Sequence, residues 1–437
     1  MSFIGVILIG ALLLSLPVSS SDGKGIPFID ALFTATTSAC VTGLTTVSIA
    51  DTFSTFGHIV ILALIQIGGL GVITVVASVA VLLNKRLGLS SRLLLQDAFN
   101  LTSLSGIVSF IKKVLIGTFV IEGIGALLYM TSLVPRFGLE GIWYSVFNSV
   151  SAFCNAGIDI MGNDSLVPFV SDPVVNLSTC FLIVLGGLGF IVWWDVIRVI
   201  KNRKSSKAGL FKSLTLHSKI AITMTAILIA LGTLAFFVFE HGNPLTMGKM
   251  NAWEKLLASL FQSVTTRTAG FYTVSQSALT SPSVTVSLLL MMVGGSPVGT
   301  AGGIKTVTLA VLLMTTYSMI KSREQVNMFG RALHREAIAK AVAVAVSFIV
   351  VLSAVTVALS FFCDAPFTDI IYETVSATAT VGLSRSLTPT LDLFGKLVVI
   401  AAMYFGRTGP ISIALLMKGK SENSNIIKNP TEDISVG

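Results

Sequence analysis

A short pattern that occurs four times at near-constant spacing constrains this chain most. An aromatic residue or leucine is followed by small hydroxylated residues and then by one glycine and an apolar residue: Phe33 to Gly43 and Leu44, Phe147 to Gly157 and Ile158, Leu260 to Gly270 and Phe271, and Tyr372 to Gly382 and Leu383. Gly157 follows Gly43 by 114 residues, Gly270 follows Gly157 by 113, and Gly382 follows Gly270 by 112. Such even intervals require one structural unit used four times.

The stretches between the patterns are apolar. A helix needs about 20 mostly apolar residues to cross a bilayer, and stretches of that kind lie near 3–20, 56–83, 114–134, 174–200, 218–239, 283–320, 338–362 and 391–417. With 53% hydrophobic residues, 11% charged residues and a mean hydropathy of +0.87, the chain fits no soluble average. The segments leading to each glycine, near 28–39, 141–153, 252–264 and 366–378, have roughly a dozen residues and are too short to cross. They read as re-entrant helices that enter and return on one side. Backbone that unwinds at membrane depth must be enclosed by protein or water, so four such turns around one axis would line a pore. The expected fold is all-α and integral to the membrane, with four span–re-entrant pore helix–span repeats related by pseudo-fourfold symmetry. The units are 1–95, 96–210, 211–330 and 331–420, followed by a cytoplasmic tail, 421–437.

The net charge of +8 does not point to nucleic acid, because the basic residues gather in short loops, among them 201–219 and 321–335. The positive-inside rule makes that side cytoplasmic, and an even number of spans puts both termini there. The opposite loops carry Asp51, Asp159, Asp164, Asp172, Glu240, Asp364 and Asp392, an acidic outer mouth that would attract cations. Cys40, Cys154, Cys180 and Cys363 show no paired spacing for disulfides or zinc.

A cation crosses lipid when oxygens replace its water, and rings of main-chain carbonyls do this without titratable groups. The four turns supply such a ring for potassium: Cys40, Val41, Thr42 and Gly43; Cys154, Asn155, Ala156 and Gly157; Arg267, Thr268, Ala269 and Gly270; Ala379, Thr380, Val381 and Gly382. The last copy approaches the Thr-Val-Gly start of the potassium filter. Glycine permits a positive φ there. One glycine per copy, where channels use two, implies fewer well-formed sites and looser discrimination. Small residues are also favoured wherever membrane helices pack closely, but four copies in register favour the filter. Cys40 and Cys154, in one register, read as small apolar filler behind the filter, with ligand or redox roles as the alternative. Arg267 and Arg385 are expected to point away from the ions, toward carbonyls or acidic loops.

Glycine clusters follow in each second span. Those at 68–71 and 186–189 read as sites of close helix packing. The third, Gly294, Gly295, Ser296, Pro297, Val298, Gly299, Thr300, Ala301, Gly302 and Gly303, contains five glycines and a proline, which removes a helix bond. It is expected to break at mid-membrane and lie across the ion path. The fourth unit has Arg407 at the matching place; an arginine at that depth costs roughly 2.5 to 3.5 kcal/mol on insertion scales unless it faces protein or water. Hydrogen bonds to carbonyls of the 294–303 loop would satisfy it, and loop and arginine together would form a gate. Lys305 reads as marking where the helix resumes, and Glu122 as a buried partner of a neighbouring unit or a functional group in its own right.

The segments Ile29 to Ala35, Ser151 to Gly157, Arg267 to Phe271, Thr380 to Leu383 and Gly406 to Pro410 resemble the membrane subunits of bacterial Ktr potassium uptake systems, within the Trk/Ktr/HKT superfamily. The resemblance covers essentially the whole chain. It implies a homodimer with one pore per chain in the bacterial cell membrane, potassium uptake stimulated by sodium, and docking on a KtrA-like cytoplasmic ring of nucleotide-binding subunits. It also implies that the four glycines form the filter, that 294–303 is the gating loop and that Arg407 is its partner. The chain has no nucleotide-binding fingerprint of its own, so a nucleotide would act through the partner. Two alternatives stand: a sodium-selective or non-selective transporter of the same superfamily, and, more distantly, a polytopic membrane enzyme, against which the scattered His58, His217, His241 and His334 argue.

Overall fold

The computed structural model describes residues 3–72, 74–75, 77–78, 106–202 and 209–409; the tail 421–437, Pro410 and the basic residues near 85–92 lie outside these. The described chain is mostly helical. Leaving single-turn helices unnumbered, the order is α1 (Phe3–Leu14), α2 (Phe28–Cys40), α3 (Thr55–Leu70), α4 (Ile107–Phe137), α5 (Glu140–Cys154), α6 (Pro173–Leu188), α7 (Phe190–Lys201), α8 (Leu216–Glu240), α9 (Ala252–Thr265), α10 (Ser281–Met292), α11 (Thr306–Ile320), β1 (Asn327–Met328), β2 (Arg331–Ala332), α12 (Arg335–Phe362), α13 (Phe367–Ala379) and α14 (Leu393–Thr408).

Three of these, α4, α8 and α12, are each long and apolar enough to cross a membrane alone. Their outward faces carry bare hydrophobic side chains, such as Ile116 at 64%, Leu231 at 59% and Phe361 at 84% exposure, a surface suited to lipid rather than water. The short helices α2, α5, α9 and α13 are the reverse. Nearly every residue in their C-terminal halves is buried, and Phe33, Phe147 and Tyr372, each ten residues before its glycine, are completely enclosed. Polar caps set where the elements begin. Ser54, Asp172 and Asp392 accept N–H bonds at the starts of α3, α6 and α14, and Asn251 with Glu254 forms a capping box on α9.

The second helices pack so closely on the short ones that only glycine fits. A Cβ on Gly68 would lie 2.0 Å from the Ala39 carbonyl oxygen, one on Gly186 1.9 Å from that of Phe153, and one on Gly406 2.1 Å from that of Thr378. The oxygen contacted is in each case four residues before the glycine of the unit's repeated pattern. This is the close packing expected of the 68–71 and 186–189 clusters, with an added feature.

The expectation of one continuous second span over 174–200 is corrected here. α6 and α7 meet at 95°, with Gly189 between them at φ 87° and ψ 143°. Gly71 ends α3 at φ 84° and Gly409 ends α14 at φ 80°. Having approached a carbonyl this closely, each helix stops within three residues at a glycine in a conformation closed to other residues. Between α10 and α11 the break is longest, running from Val293 to Lys305. The chain is also not wholly helical: β1 and β2 form a hairpin whose turn residues Phe329 and Gly330 both have positive φ. Two-residue strands and a Phe-Gly turn, in place of Asn-Gly or Asp-Gly, left no hairpin signal in the sequence.

Substituting Gly186 by valine should therefore abolish a stable fold, seen as loss of the monodisperse peak of the purified protein. Gly123, on α4, has nothing within 4 Å of a Cβ; Gly123→Ala should raise the thermal midpoint, since alanine is favoured over glycine in a helix by about 1 kcal/mol.

Candidate functional site: four glycine turns and an intramembrane loop

The four short helices terminate alike. Two residues before each glycine a non-glycine residue adopts the left-handed conformation: Val41 (φ 56°), Asn155 (φ 60°), Thr268 (φ 66°) and Thr380 (φ 53°). Gly43, Gly157, Gly270 and Gly382 follow at φ 103°, 64°, 84° and 95°. A left-handed non-glycine residue costs roughly 1–2 kcal/mol, so four in one register need compensation. Hydroxyls on the preceding helix provide part of it. Thr37 Oγ1 accepts from the Gly43 N–H at 2.9 Å and Ser376 Oγ from the Gly382 N–H at 3.0 Å. Ser151 Oγ accepts from the Ile158 N–H at 3.1 Å and donates to the Ile158 carbonyl at 2.5 Å, and Thr265 Oγ1 donates to the Phe271 carbonyl at 2.5 Å.

The four turns meet. A Cβ on Gly43 would lie 3.3 Å from the Gly157 Cα and 3.2 Å from the Gly382 Cα; one on Gly270 would lie 3.0 Å and 3.3 Å from the same two atoms. The cyclic order is thus 43, 157, 270, 382. The nearest atom is always the carbonyl oxygen before the next glycine: Ala156 for Gly43, Ala269 for Gly157, Val381 for Gly270 and Thr42 for Gly382. A side chain at any of the four would strike a main-chain oxygen. The hydroxyls of Thr42, Thr378 and Thr380 are buried here without a protein partner. Cys40 and Cys154 are buried free thiols; Cys154 packs against Gly69 and lies 3.9 Å from Gln66 Oε1 and 4.0 Å from Glu122 Oε1. Glu122 is paired with Gln66 of the first unit, at 3.4 Å.

On one face the glycines open into a vestibule of about 400 Å³, lined by all four of them and by Thr46, Asp159, Asp164, Ser384 and Thr388. Matching contacts brace its rim. Asp30 accepts from Thr46 Oγ1 at 2.8 Å and Lys396 Nζ at 2.6 Å, while Asp369 accepts from Arg385 Nε at 2.6 Å. Both aspartates stand thirteen residues before a glycine, and Thr46 and Arg385 both stand three after one. Arg385 therefore turns from the pore to an acidic neighbour, and its Nη1 also donates to the Gln276 carbonyl at 2.9 Å.

On the other face the segment from Gly294 to Gly303 lies against the turns. Gly302 N donates to Thr268 Oγ1 at 3.1 Å, and Thr300 Oγ1 to the Phe153 carbonyl at 3.1 Å. Ser296 N and Thr300 N donate to the carbonyls of Gly187 and Gly186 at 2.7 and 3.1 Å, and Phe190 N donates to the Val298 carbonyl at 3.1 Å. The glycines make this possible: a Cβ on Gly294 would meet the Gly302 carbonyl at 1.9 Å, and one on Gly299 the Gly186 carbonyl at 2.9 Å. Lys305 caps the start of α11 and donates to the Ala301 carbonyl at 2.5 Å. Arg407 Nη1 donates to the Thr300 carbonyl at 2.5 Å and Nη2 to the Gly68 carbonyl. Arg267, grouped with the filter by its position, sends its side chain to this loop: its Nη2 donates to the Gly294 carbonyl at 3.3 Å.

This geometry coincides with a family likeness over nearly the whole sequence. A family model described as "TrkH: Cation transport protein" matches residues 1–428. The chain belongs to that family. It is 39% identical over 436 residues to the Ktr system potassium uptake protein B of Bacillus subtilis, a match covering 100% of this chain and 95% of the relative. It is likewise 39% identical over 445 residues to the potassium/sodium uptake protein NtpJ of Enterococcus hirae, again covering 100% and 95%. The crystal structure of the potassium transporter TrkH from Vibrio parahaemolyticus superposes with a TM-score of 0.76 at 16% identity, covering 95% of this chain and 84% of that one; this likeness speaks to the fold. These relatives are transporters, which sets aside the membrane enzyme. As a member of this family the chain is a multi-pass cell-membrane transporter.

Sequence reasoning missed the hydroxyl staples, the Asp30 and Asp369 braces and the Gly68 carbonyl as a second acceptor for Arg407. A signal existed for the staples, since Thr37, Ser151 and Ser376 all lie six residues before their glycines. The vestibule also yields a pH dependence. Burial pushes the Asp159 carboxyl up to about 6, against the opposing pull of its bonds from the Met161 N–H and Ser165; Tyr129, Tyr272 and Asp164 are the titratable groups around it. A raised carboxyl is charged above that pH and neutral below it, so cation attraction weakens as the pH on this face falls. The KM for the transported cation should rise about threefold between roughly pH 7.5 and pH 5, the size expected for one unit charge across a partly screened cavity. Asp159→Asn should show the higher value throughout and a flat profile.

Proposed function

We propose that the chain conducts potassium into the cell through one pore per chain, with the main-chain oxygens of residues 40–43, 154–157, 267–270 and 379–382 replacing the ion's water. The observation that carries this reading is the cyclic closure of the four glycine turns on one another. Four helix C-termini point their partial negative charge at that place, and carbonyl rings are the way proteins hold a bare monovalent cation. Potassium is favoured because the relatives from Bacillus subtilis and Enterococcus hirae bear its name and because all four filter positions are glycine. The units are those drawn from the sequence, each a span, a re-entrant helix and a second span.

In this reading the loop 294–303 and Arg407 form the gate. The loop crosses beneath three of the turns, and the guanidinium adds a positive charge to the barrier an ion would meet. Movement of the loop opens the path. The Ktr name of the Bacillus subtilis relative supports a partner subunit. We assign that role to a KtrA-like nucleotide-binding ring docked on the basic face, which makes that face and both termini cytoplasmic, on a homodimer stimulated by sodium. A second reading, passage of sodium together with potassium, draws on the double name of the Enterococcus hirae relative.

Rubidium and sodium fluxes in proteoliposomes separate the two. A potassium pathway should pass rubidium well ahead of sodium, and Gly43→Ser and Gly382→Ser should each reduce that preference at least about tenfold, the effect of losing roughly 1.4 kcal/mol of discrimination. Equal fluxes in the unmodified protein would favour the second reading. Arg407→Ala should raise flux with the preference retained; unchanged flux would remove the gate from the proposal.

A further inference from the structure

Arg267 is 6% exposed, and it is absent from the four ion pairs among the described residues. A buried charge needs partners, and its partners here are neutral: the Gly294 carbonyl at 3.3 Å and Thr225 Oγ1 of α8 at 3.4 Å. Its Nε is buried with no partner, and so is Asn155 Nδ2. The two residues line the same cavity of about 10 Å³, together with Gly187, Gly295 and the apolar Ile183, Val184 and Val264. That is the room one water takes, and buried donors of this kind are ordinarily satisfied. Asn155 also reaches the loop directly, its Oδ1 accepting from Thr300 Oγ1 at 3.4 Å.

We propose that Arg267 is a positioning residue for the intramembrane loop, holding Gly294 from the filter side, with one water in the cavity accepting from Arg267 Nε and Asn155 Nδ2. The proposal rests on the gating role given to the loop. Arg407 holds the loop at Thr300 and Arg267 holds it at Gly294, so the segment is fixed near both ends by guanidinium groups from different units. The second unit's turn, the third unit's turn and the loop thereby share one hydrogen-bonded junction. A shift of the loop has to break it, and formation of the junction favours the closed path.

The full chain in proteoliposomes tests this, through rubidium leak, the rubidium-to-sodium ratio and the thermal midpoint for Arg267→Gln, Arg267→Lys, Thr225→Val and Arg407→Ala. Arg267→Gln, which keeps the main-chain oxygen given to the filter, should raise the leak about tenfold, the effect of losing one charge-assisted bond, a larger change than any in the ion ratio. Arg267→Lys should fall between, and Thr225→Val, which frees the guanidinium without removing it, should give a smaller rise even if the glutamine variant does not fold. A map that resolves waters should show one peak in the cavity. An altered ion ratio with no added leak would mean that the Arg267 side chain serves the filter and not the loop, and would overturn the proposal. Leak from Arg407→Ala alone would overturn it while leaving the gate intact, and leak from none of the variants would remove the gate as well.

Discussion

Everything in this structure is arranged around helix ends that have nowhere ordinary to put their carbonyls. A helix leaves its last carbonyls unpaired, and within a membrane no solvent is at hand to satisfy them. α2, α5, α9 and α13 all end at the same place, so four sets of such oxygens and four negative dipole ends converge. Protein N–H groups could have quenched them. Instead the N–H groups that follow each helix are taken up locally, by the helix's own last carbonyls and by hydroxyls such as Thr37 and Ser376. The main-chain oxygens before Gly43, Gly157, Gly270 and Gly382 lie at the place where the four turns meet, the environment that the proposed filter would offer a cation.

That arrangement dictates the packing around it. The outer helices must come close enough to hold the turns, and they do so at Gly68, Gly186 and Gly406, each against the carbonyl four residues before one of the four repeated glycines. A helix carrying glycine at such a contact is weakened there, and each of the three terminates within a few residues. The third unit departs from the pattern. Its second helix stops earlier, at Met292, and the chain that would have continued as helix spends its polar groups on the other units: Gly186 and Gly187 of the second, Thr268 of its own turn and, through Arg407, the fourth.

Much of this was legible because the repeat was legible. The even spacing of Gly43, Gly157, Gly270 and Gly382 located the turns, the length of the segments before them marked short helices, and the glycine and proline content of 294–303 marked an unwound stretch. The bend at Gly189 was not legible, because the sequence on both sides is apolar enough for a single span and hydropathy carries no information about direction. For the Arg267 side chain a carbonyl acceptor was legible, but not that it would be Gly294 of the loop. Its position in the chain placed it with the filter, but a guanidinium on a long flexible stem can reach acceptors well away from its own backbone, and which acceptors it finds depends on how the third and second units meet. The Asp30 and Asp369 braces are of the same kind. Their common register becomes visible only once the turns are superposed, since neither partner pair looks alike in sequence.

The choice of carbonyl partners for Arg407 has a consequence of its own. A carboxylate would hold the guanidinium in a strong, self-contained pair, and breaking such a pair while it is buried costs several kcal/mol. Carbonyl acceptors are weaker, and both belong to backbone whose position is set by other contacts: Gly68 by its approach to Ala39, Thr300 by its bonds to Gly186 and Phe153. Arg407 therefore joins backbone of the first unit to backbone of the loop in the third. If the loop shifts, the guanidinium keeps the Gly68 carbonyl and surrenders only the Thr300 carbonyl, which leaves its charge partly satisfied in both positions. An arginine bound in this way tolerates two arrangements of its surroundings, which is what the gating role proposed for the loop requires.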